Sequence, residues 1–326
     1  MAFVEIETEP AKRGTRRATS TLKSALPNSP ETHLIMTKPL VSLARGAALL
    51  VLGGLAASFA QAATSWVPQV SDTWEWQLSP TKGKSGYNID TKYAAKVYDF
   101  DLEDAAEPNN DSLVKSLHAS GHVVVCYFSA GSYETGRSDT GGKKGSGNYG
   151  SFKASDIGNK MNGWPEWWID TNSANVRAIM TARIVRAAKA GCDGVEPDNV
   201  DGYTNNPGFS GMNAASQLDY NRFLATTAHA NGLKIALKND IDQVPALSTN
   251  FDFAINEQCN QYKECGNYSY FTGANKPVFN AEYASKYKDA SGQAALCKTS
   301  QQQNLRTLVL NINLDDSYHY SCDGAN

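Results

Sequence analysis

The sequence is short of histidine, of one-sided charge and of long apolar runs, and each shortage removes a class of function. Its five histidines, His33, His118, His122, His229 and His319, show no metal-ligand spacing. Gly121 interrupts any helix that could set the pair at 118 and 122 on one face. Thirty Lys+Arg against 33 Asp+Glu give a net charge of −3, unlike the basic footprint of a nucleic-acid binder. No uncharged apolar stretch reaches the roughly 18 residues of a membrane helix. The chain has no C-x-x-C, no G-x-G-x-x-G after a strand, no P-loop and no G-x-S-x-G elbow, so the usual carriers of dithiol, dinucleotide, nucleotide and serine-hydrolase chemistry are missing. The calcium-loop pattern is absent too, and no metal or cofactor is expected.

What is present begins with an export pattern. Residues 1–35 are polar, carry Lys12, Arg13, Arg16 and Arg17, and show no hydrophobic period. From Met36 the character changes: Lys38 and Arg45 precede the apolar run Gly46–Ala60, and Ala60-Gln61-Ala62 follows. A charged n-region, a short h-region and an A-x-A site are the parts of a bacterial secretory signal. Residues 1–35 are therefore read as an upstream extension before the natural start, 36–62 as a cleaved signal, and 64–326 as the mature domain. The product is expected to be secreted or periplasmic, monomeric and free of the membrane. Residues 1–62 hold seven Lys/Arg and four Glu, so the mature chain carries 23 basic and 29 acidic side chains, net −6. Such a chain suits a neutral or cationic partner.

All six cysteines fall in the mature part, and an oxidising compartment favours disulfides. Cys259–Cys265 and Cys297–Cys322 are the expected bridges. Cys126, inside an apolar run, and Cys192, just before one, are expected to be buried thiols.

Eight strand-like runs alternate with helical patterns: 74–78, 96–101, 123–129, 194–198, 234–239, 253–257, 277–282 and 307–311. Val176, Ile179, Met180, Ile184 and Ala187 keep a 3.6-residue period, as do Tyr220, Phe223, Leu224, Thr227 and Ala228. Gly121, Gly191 and Gly232 each stand where a helix should stop before the next strand. Strand–helix alternation implies a parallel sheet, and eight strands predict an α/β (β/α)8 TIM barrel rather than an open doubly wound sheet. Residues 135–163 are long for a connection, and their Gly/Lys part, Gly141-Gly142-Lys143-Lys144-Gly145-Ser146-Gly147, is expected to be a mobile insertion.

In such a barrel the chemistry sits at the carboxyl ends of the strands. Those ends carry Gln77; Asp99 and Asp101; Tyr127, Ser129 and Glu134; Glu196, Asp198, Asn199 and Asp201; Lys238, Asn239 and Asp240; Glu257 and Gln258; Glu282 and Tyr283; Asn313 and Asp315. Acidic residues there can also cap the next helix, as expected of Asp111 and Asp170. Three carboxylates in Glu196-Pro197-Asp198-Asn199-Val200-Asp201 are more than caps require. Carboxylates and amides bond hydroxyls, aromatic rings stack on sugars, and paired carboxylates are the catalytic means left. This points to glycoside hydrolysis.

At these positions the chain resembles glycoside hydrolase family 114, the endo-α-1,4-polygalactosaminidases. The resemblance is carried by Gly191-Cys192-Asp193-Gly194-Val195-Glu196-Pro197-Asp198-Asn199-Val200-Asp201-Gly202-Tyr203, by Leu237-Lys238-Asn239-Asp240 and by Ile255-Asn256-Glu257-Gln258-Cys259. Trp76-Gln77-Leu78, the run Tyr127 to Glu134, Gly163-Trp164-Pro165 and Phe279-Asn280-Ala281-Glu282-Tyr283 support it. It implies a barrel hydrolysing α-1,4-linked galactosamine polymers, with Asp198 and Glu257 as the catalytic pair. The remaining strand-end residues, apart from Ser129, Asn313 and Asp315, are expected with Trp164 to bind a cationic polysaccharide. The alternative is a catalytically silent polysaccharide-binding protein of the same fold.

Overall fold

Strand–helix alternation in the sequence becomes a curled parallel sheet in the computed structural model, which describes residues 66–81, 89–106 and 111–325. The expected extension and signal, 1–35 and 36–62, lie outside the described residues. Eight strands follow in spatial and sequence order: β1 (Trp74–Gln77), β2 (Val97–Asp101), β3 (Val123–Ser129), β4 (Gly194–Asp198), β5 (Lys234–Lys238), β6 (Phe253–Glu257), β7 (Val278–Glu282) and β8 (Leu305–Leu310). Each is parallel to the next, and β9 (His319–Ser321) joins β8 antiparallel. Between strands run α1 (Leu102–Ala106), α2 (Asp111–Ala119), α3 (Ala174–Ala190), α4 (Ala214–Ala230), α5 (Val244–Leu247), α6 (Cys259–Tyr262), α7 (Ser269–Thr272) and α8 (Ala290–Gln302). Every expected strand coincides with an observed one. The two ends of the sheet meet across a seam: the Trp74 indole donates to Arg306 O (2.9 Å), and Leu78 and Ser79 N–H donate to Leu314 O (3.2 and 3.0 Å). This is the (β/α)8 barrel.

Strand alternation divides the core in two. Trp74, Trp76, Val97, Val123, Val125, Phe253, Ile255, Phe279, Ala281 and Leu308 pack together inside the barrel. Their alternates, Tyr98, Phe100, Val124, Phe128, Val195, Ile235, Leu237 and Ala254, pack outward with Val176, Met180, Ile184, Tyr220 and Leu224 of the helices. Gly191 closes α3 at φ +90°, the left-handed conformation the αβ turn needs. Ser173 caps the other end of α3 through Val176 N–H (3.4 Å), a contribution of about 1 kcal/mol. Asp170, expected as that cap, instead shapes the preceding turn by accepting from Asn172 N–H (3.0 Å). The side chain of Asp111 is outside the described residues.

The segment expected to be a mobile insertion is folded onto the barrel. Three short strands, Ser132–Tyr133, Ile157–Lys160 and Trp167–Ile169, form a separate antiparallel sheet. The Gly/Lys stretch is held to it: Tyr133 Oη donates to Gly142 O (2.8 Å), Gly142 N–H to Asn148 O (2.9 Å), and Lys144 Nζ to Gly158 O. Arg183 of α3 clamps Asp139 with two hydrogen bonds of 2.8 Å.

Cys259–Cys265 and Cys297–Cys322 are bridged as expected. The expectation of free thiols at Cys126 and Cys192 is wrong, because these residues form a third disulfide. Although 66 residues separate them, β3 and β4 are neighbours, and Cys192 immediately precedes the end of β4 that lies against β3. Closing a loop that long stabilises by about 4 kcal/mol on the chain-entropy model. The double variant C126S/C192S should therefore lose several degrees of thermal midpoint, more than C259S/C265S. Calorimetry of the two variants checks this, and equal midpoints would contradict it.

Candidate active site

The carboxyl ends of β4, β5 and β6 each present one inward-facing charged residue to the barrel mouth: Asp198, Lys238 and Glu257. The chain then leaves each strand through a left-handed residue, Asn199 (φ +61°), Asn239 (φ +48°) and Gln258 (φ +63°). Asn tolerates this region, whereas Gln adopts it at a cost. The sharp exits keep the last side chain of each strand in the mouth and turn the connection outward.

Lys238 is the centre of the arrangement. Its Nζ lies 3.0 Å from Glu196 Oε1, 3.0 Å from Asp198 Oδ1 and 3.5 Å from Glu257 Oε2, with the side chain only 2% exposed. It also sits 4.8 Å over the Trp76 ring. Burial alone would push the ammonium down, but the charges of Asp198, Glu196 and Glu257 hold it well above its ordinary range. Both Asp198 and Glu257 therefore border a single cation. This sets them no farther apart than the roughly 5–9.5 Å at which glycosidase carboxyls operate.

The two carboxyls are held differently. Asp198 accepts from Asn199 N–H (2.7 Å), Tyr127 Oη (3.0 Å) and Asn199 Nδ2 (3.4 Å) as well as Lys238. Glu257 accepts from Tyr283 Oη (2.6 Å) and Asn239 Nδ2 (3.1 Å), and its side chain is 28% exposed against 18% for Asp198. Asn239 Oδ1 also accepts from Glu257 N–H (2.9 Å), so one amide fixes both ends of that residue.

Beneath this pair lies a second acidic layer. The Trp76 indole donates to Glu196 Oε2 (3.0 Å). Burial, against the pull of Lys238, pushes Glu196 up to about 7. Asp99 of β2 is buried beside it, and desolvation together with the Glu196 charge holds Asp99 well above the carboxylate range. Neither of its oxygens accepts a hydrogen bond from the described residues. Asp201 is pushed to about 6 by burial and by Asp198. Asp240 is pushed to about 8 by burial and by Asp201, while Asn221 donates to it (2.9 Å).

The site thus gathers Tyr127, Glu196, Asp198, Asn199, Lys238, Asn239, Glu257 and Tyr283, with Asp99, Asp201 and Asp240 behind them. Asp101 and Glu134 stand to one side, both paired with Arg137. Gln77, Gln258 and Glu282 are elsewhere. Gln77 accepts from Asp90 N–H (2.8 Å), Gln258 donates to Gln261 (3.2 Å), and Glu282 accepts from Asn260 N–H (2.8 Å). Trp164 stands 51% exposed at the tip of the hairpin after β3. Sequence reasoning passed over Trp76 and Glu166. Period-two alternation from the buried Trp74 would have found Trp76, since it places Gln77 on the outer face. The described residues include no cluster of His, Cys, Asp and Glu arranged to hold a metal ion, and no helix among them is long and apolar enough to cross a membrane.

Two carboxyls at one mouth of a (β/α)8 barrel, tied to a buried lysine and flanked by tyrosines, suit glycoside hydrolysis. The profile of glycoside-hydrolase family GH114 matches residues 55–326, and the chain belongs to that family. Among solved structures it is similar to Ega3 of Aspergillus fumigatus, crystallised in complex with galactosamine. The two are 38% identical, with a TM-score of 0.69 over 79% of this chain and 98% of that one. The glycoside hydrolase domain of PelA from Pseudomonas aeruginosa shares the fold at 14% identity, with a TM-score of 0.57 over 76% of this chain and 98% of the other. A search of curated proteins gave no match.

The raised carboxyls set the pH dependence of stability. Asp201, Glu196 and Asp240 bind protons more tightly folded than unfolded. Their contribution is complete below the ordinary carboxylate range, roughly pH 4, and is lost as pH climbs through about 6, 7 and 8. Stability should decline between pH 4 and 8, and Asp240→Asn, which keeps the left-handed backbone, should flatten the upper part of the decline. Urea midpoints at stepped pH measure this; a variant slope identical to wild type would refute it.

Proposed function

We propose that this enzyme is an exported endo-glycosidase that cleaves α-1,4-linked galactosamine polymers with Asp198 and Glu257. The observation that carries the reading is the Lys238 bridge between those carboxyls, in a family member 38% identical to a protein crystallised with galactosamine. In this reading Glu257, the more exposed and less hydrogen-bonded of the two, protonates the glycosidic oxygen. Asp198, filled with donors and oriented by Tyr127, Asn199 and Lys238, acts on the anomeric carbon directly or through water. An acidic mouth suits a cationic polymer, whose free amines carry positive charge near neutrality. Three disulfides accord with an oxidising compartment.

Asp198→Asn and Glu257→Gln should each keep the fold and lower turnover on a partly deacetylated galactosamine polymer by at least ~10²-fold, the scale of lost acid–base assistance. Reducing-end release is the assay. Near wild-type release by either variant removes that residue from the chemistry and moves attention to Glu196. Export is checked by sequencing the mature amino terminus, expected at Ala63 or Thr64; a product still beginning before Met36 would exclude the signal.

A further inference from the structure

One hairpin at the mouth carries two side chains that the catalytic pair does not explain. Strands Ile157–Lys160 and Trp167–Ile169 pair antiparallel, Met161 N–H donates to Glu166 O (2.9 Å), and Gly163 turns the tip at φ +81°. Trp164 stands exposed on this tip, and Glu166 is half-buried on the return.

Glu166 is wired to Asp198. Ser132 Oγ donates to Glu166 Oε2 (2.5 Å), the Ser132 and Ser129 hydroxyls share a hydrogen bond (2.6 Å), and Asn199 Nδ2 donates to Ser129 Oγ (3.0 Å) and Asp198 Oδ2 (3.4 Å). The turn bearing the serines is pressed against Asn199. Ala130 and Gly131 N–H donate to Asp198 O (2.8 and 3.1 Å), and a Cβ on Gly131 would lie 1.7 Å from Asn199 O. Glu166 therefore has a fixed position relative to the catalytic carboxyl.

Its surroundings hold more negative than positive charge. Burial, with the charges of Glu134 and Asp198, pushes Glu166 up to about 7. The cation beside it is Arg137, which is already engaged by Glu134 (2.6 Å) and by Asp101. Oε2 is used by Ser132, whereas Oε1 takes no hydrogen bond from the described residues. One carboxylate oxygen and one exposed indole on the same hairpin match an amino sugar, offering an acceptor for its ammonium and a face for its ring.

We infer that the Trp164–Glu166 hairpin reads the acetylation state of the substrate, with Glu166 Oε1 accepting from the protonated amine of a unit beside the cleaved bond while Trp164 stacks on its ring. This rests on the galactosamine reading above. An N-acetyl group removes the charge and adds bulk at the same position, so deacetylated chains are the preferred substrate.

The test compares wild type, Glu166→Gln, Glu166→Asp and Trp164→Ala on two α-1,4-linked galactosamine chains, one fully deacetylated and one fully N-acetylated. Wild type should favour the deacetylated chain. On that chain Glu166→Gln should raise KM by about tenfold, the worth of one charge-assisted hydrogen bond, with kcat within about threefold. Glu166→Asp should fall between, and KM on the acetylated chain should barely move. Trp164→Ala, an exposed change that the fold tolerates, should raise KM on both chains alike. A fall in kcat without a KM change, or equal KM losses on both chains for Glu166→Gln, overturns the inference and leaves the galactosamine reading standing. A wild type that cleaves neither chain overturns both.

Discussion

The site depends on one buried ammonium. Burying charge costs several kcal/mol per ion unless partners and hydrogen bonds compensate, and Lys238 is compensated by Glu196, Asp198 and Glu257 at 3.0–3.5 Å. The dependence is mutual: without Lys238, three carboxyls would face one another across the mouth with no cation between them. This arrangement requires that β5 keep its register with both β4 and β6, so that Asp198, Lys238 and Glu257 share one facing. A slip of one residue in β5 would turn Lys238 to the outer face and bring Leu237 into the mouth.

Backbone strain is concentrated at the same place. Non-glycine residues in the left-handed region are uncommon and tend to mark functional turns, and here β4 and β6 are each followed by one and β5 by two, Asn239 and Asp240. Each is stabilised by bonds that serve the site. Asn199 donates to Asp198 and Ser129, Asn239 brackets Glu257, and Gln258 N–H donates to Ala281 O (2.8 Å). The interactions that offset the strain are thus the ones that aim Asp198 and Glu257, the proposed catalytic pair.

Most of the fold was legible in the sequence because strand runs, helix periods and glycine stops are local signals. All eight strands and the inward Asp198, Lys238, Glu257 and Tyr283 follow from them. Three features did not. The Cys126–Cys192 bridge depends on β3 and β4 being neighbours across a 66-residue gap, which no local pattern encodes. Gln77 and Glu282 were credited to the mouth because they end strands, yet alternation sends both to the outer face, where they hold loops. Glu166 was missed because it belongs to a two-stranded excursion inside a long connection, and its approach to Asp198 runs through Ser132, Ser129 and Asn199 rather than along the chain.

Three of the histidines, His118, His122 and His229, stand at the opposite end of the barrel. Asp193, just before β4, accepts from Val124 N–H (2.8 Å) and pairs with His118 (2.8 Å). Asp252, just before β6, accepts from Ile235 N–H (3.1 Å) and pairs with His229 (2.7 Å) and Lys234 (3.3 Å). His122 meets Ala95 O (2.7 Å) ahead of β2. These contacts fasten neighbouring strands at their amino ends, and Cys192 sits among them. Stability and chemistry are thereby assigned to opposite ends of the same strands, the division expected of this barrel. Repulsion among carboxyls and strained exits at the mouth are tolerable because the register they require is fixed at the far end by aspartate clamps and a covalent bond. Neither the clamps nor the bond touches Asp198 or Glu257, the carboxyls proposed for the chemistry.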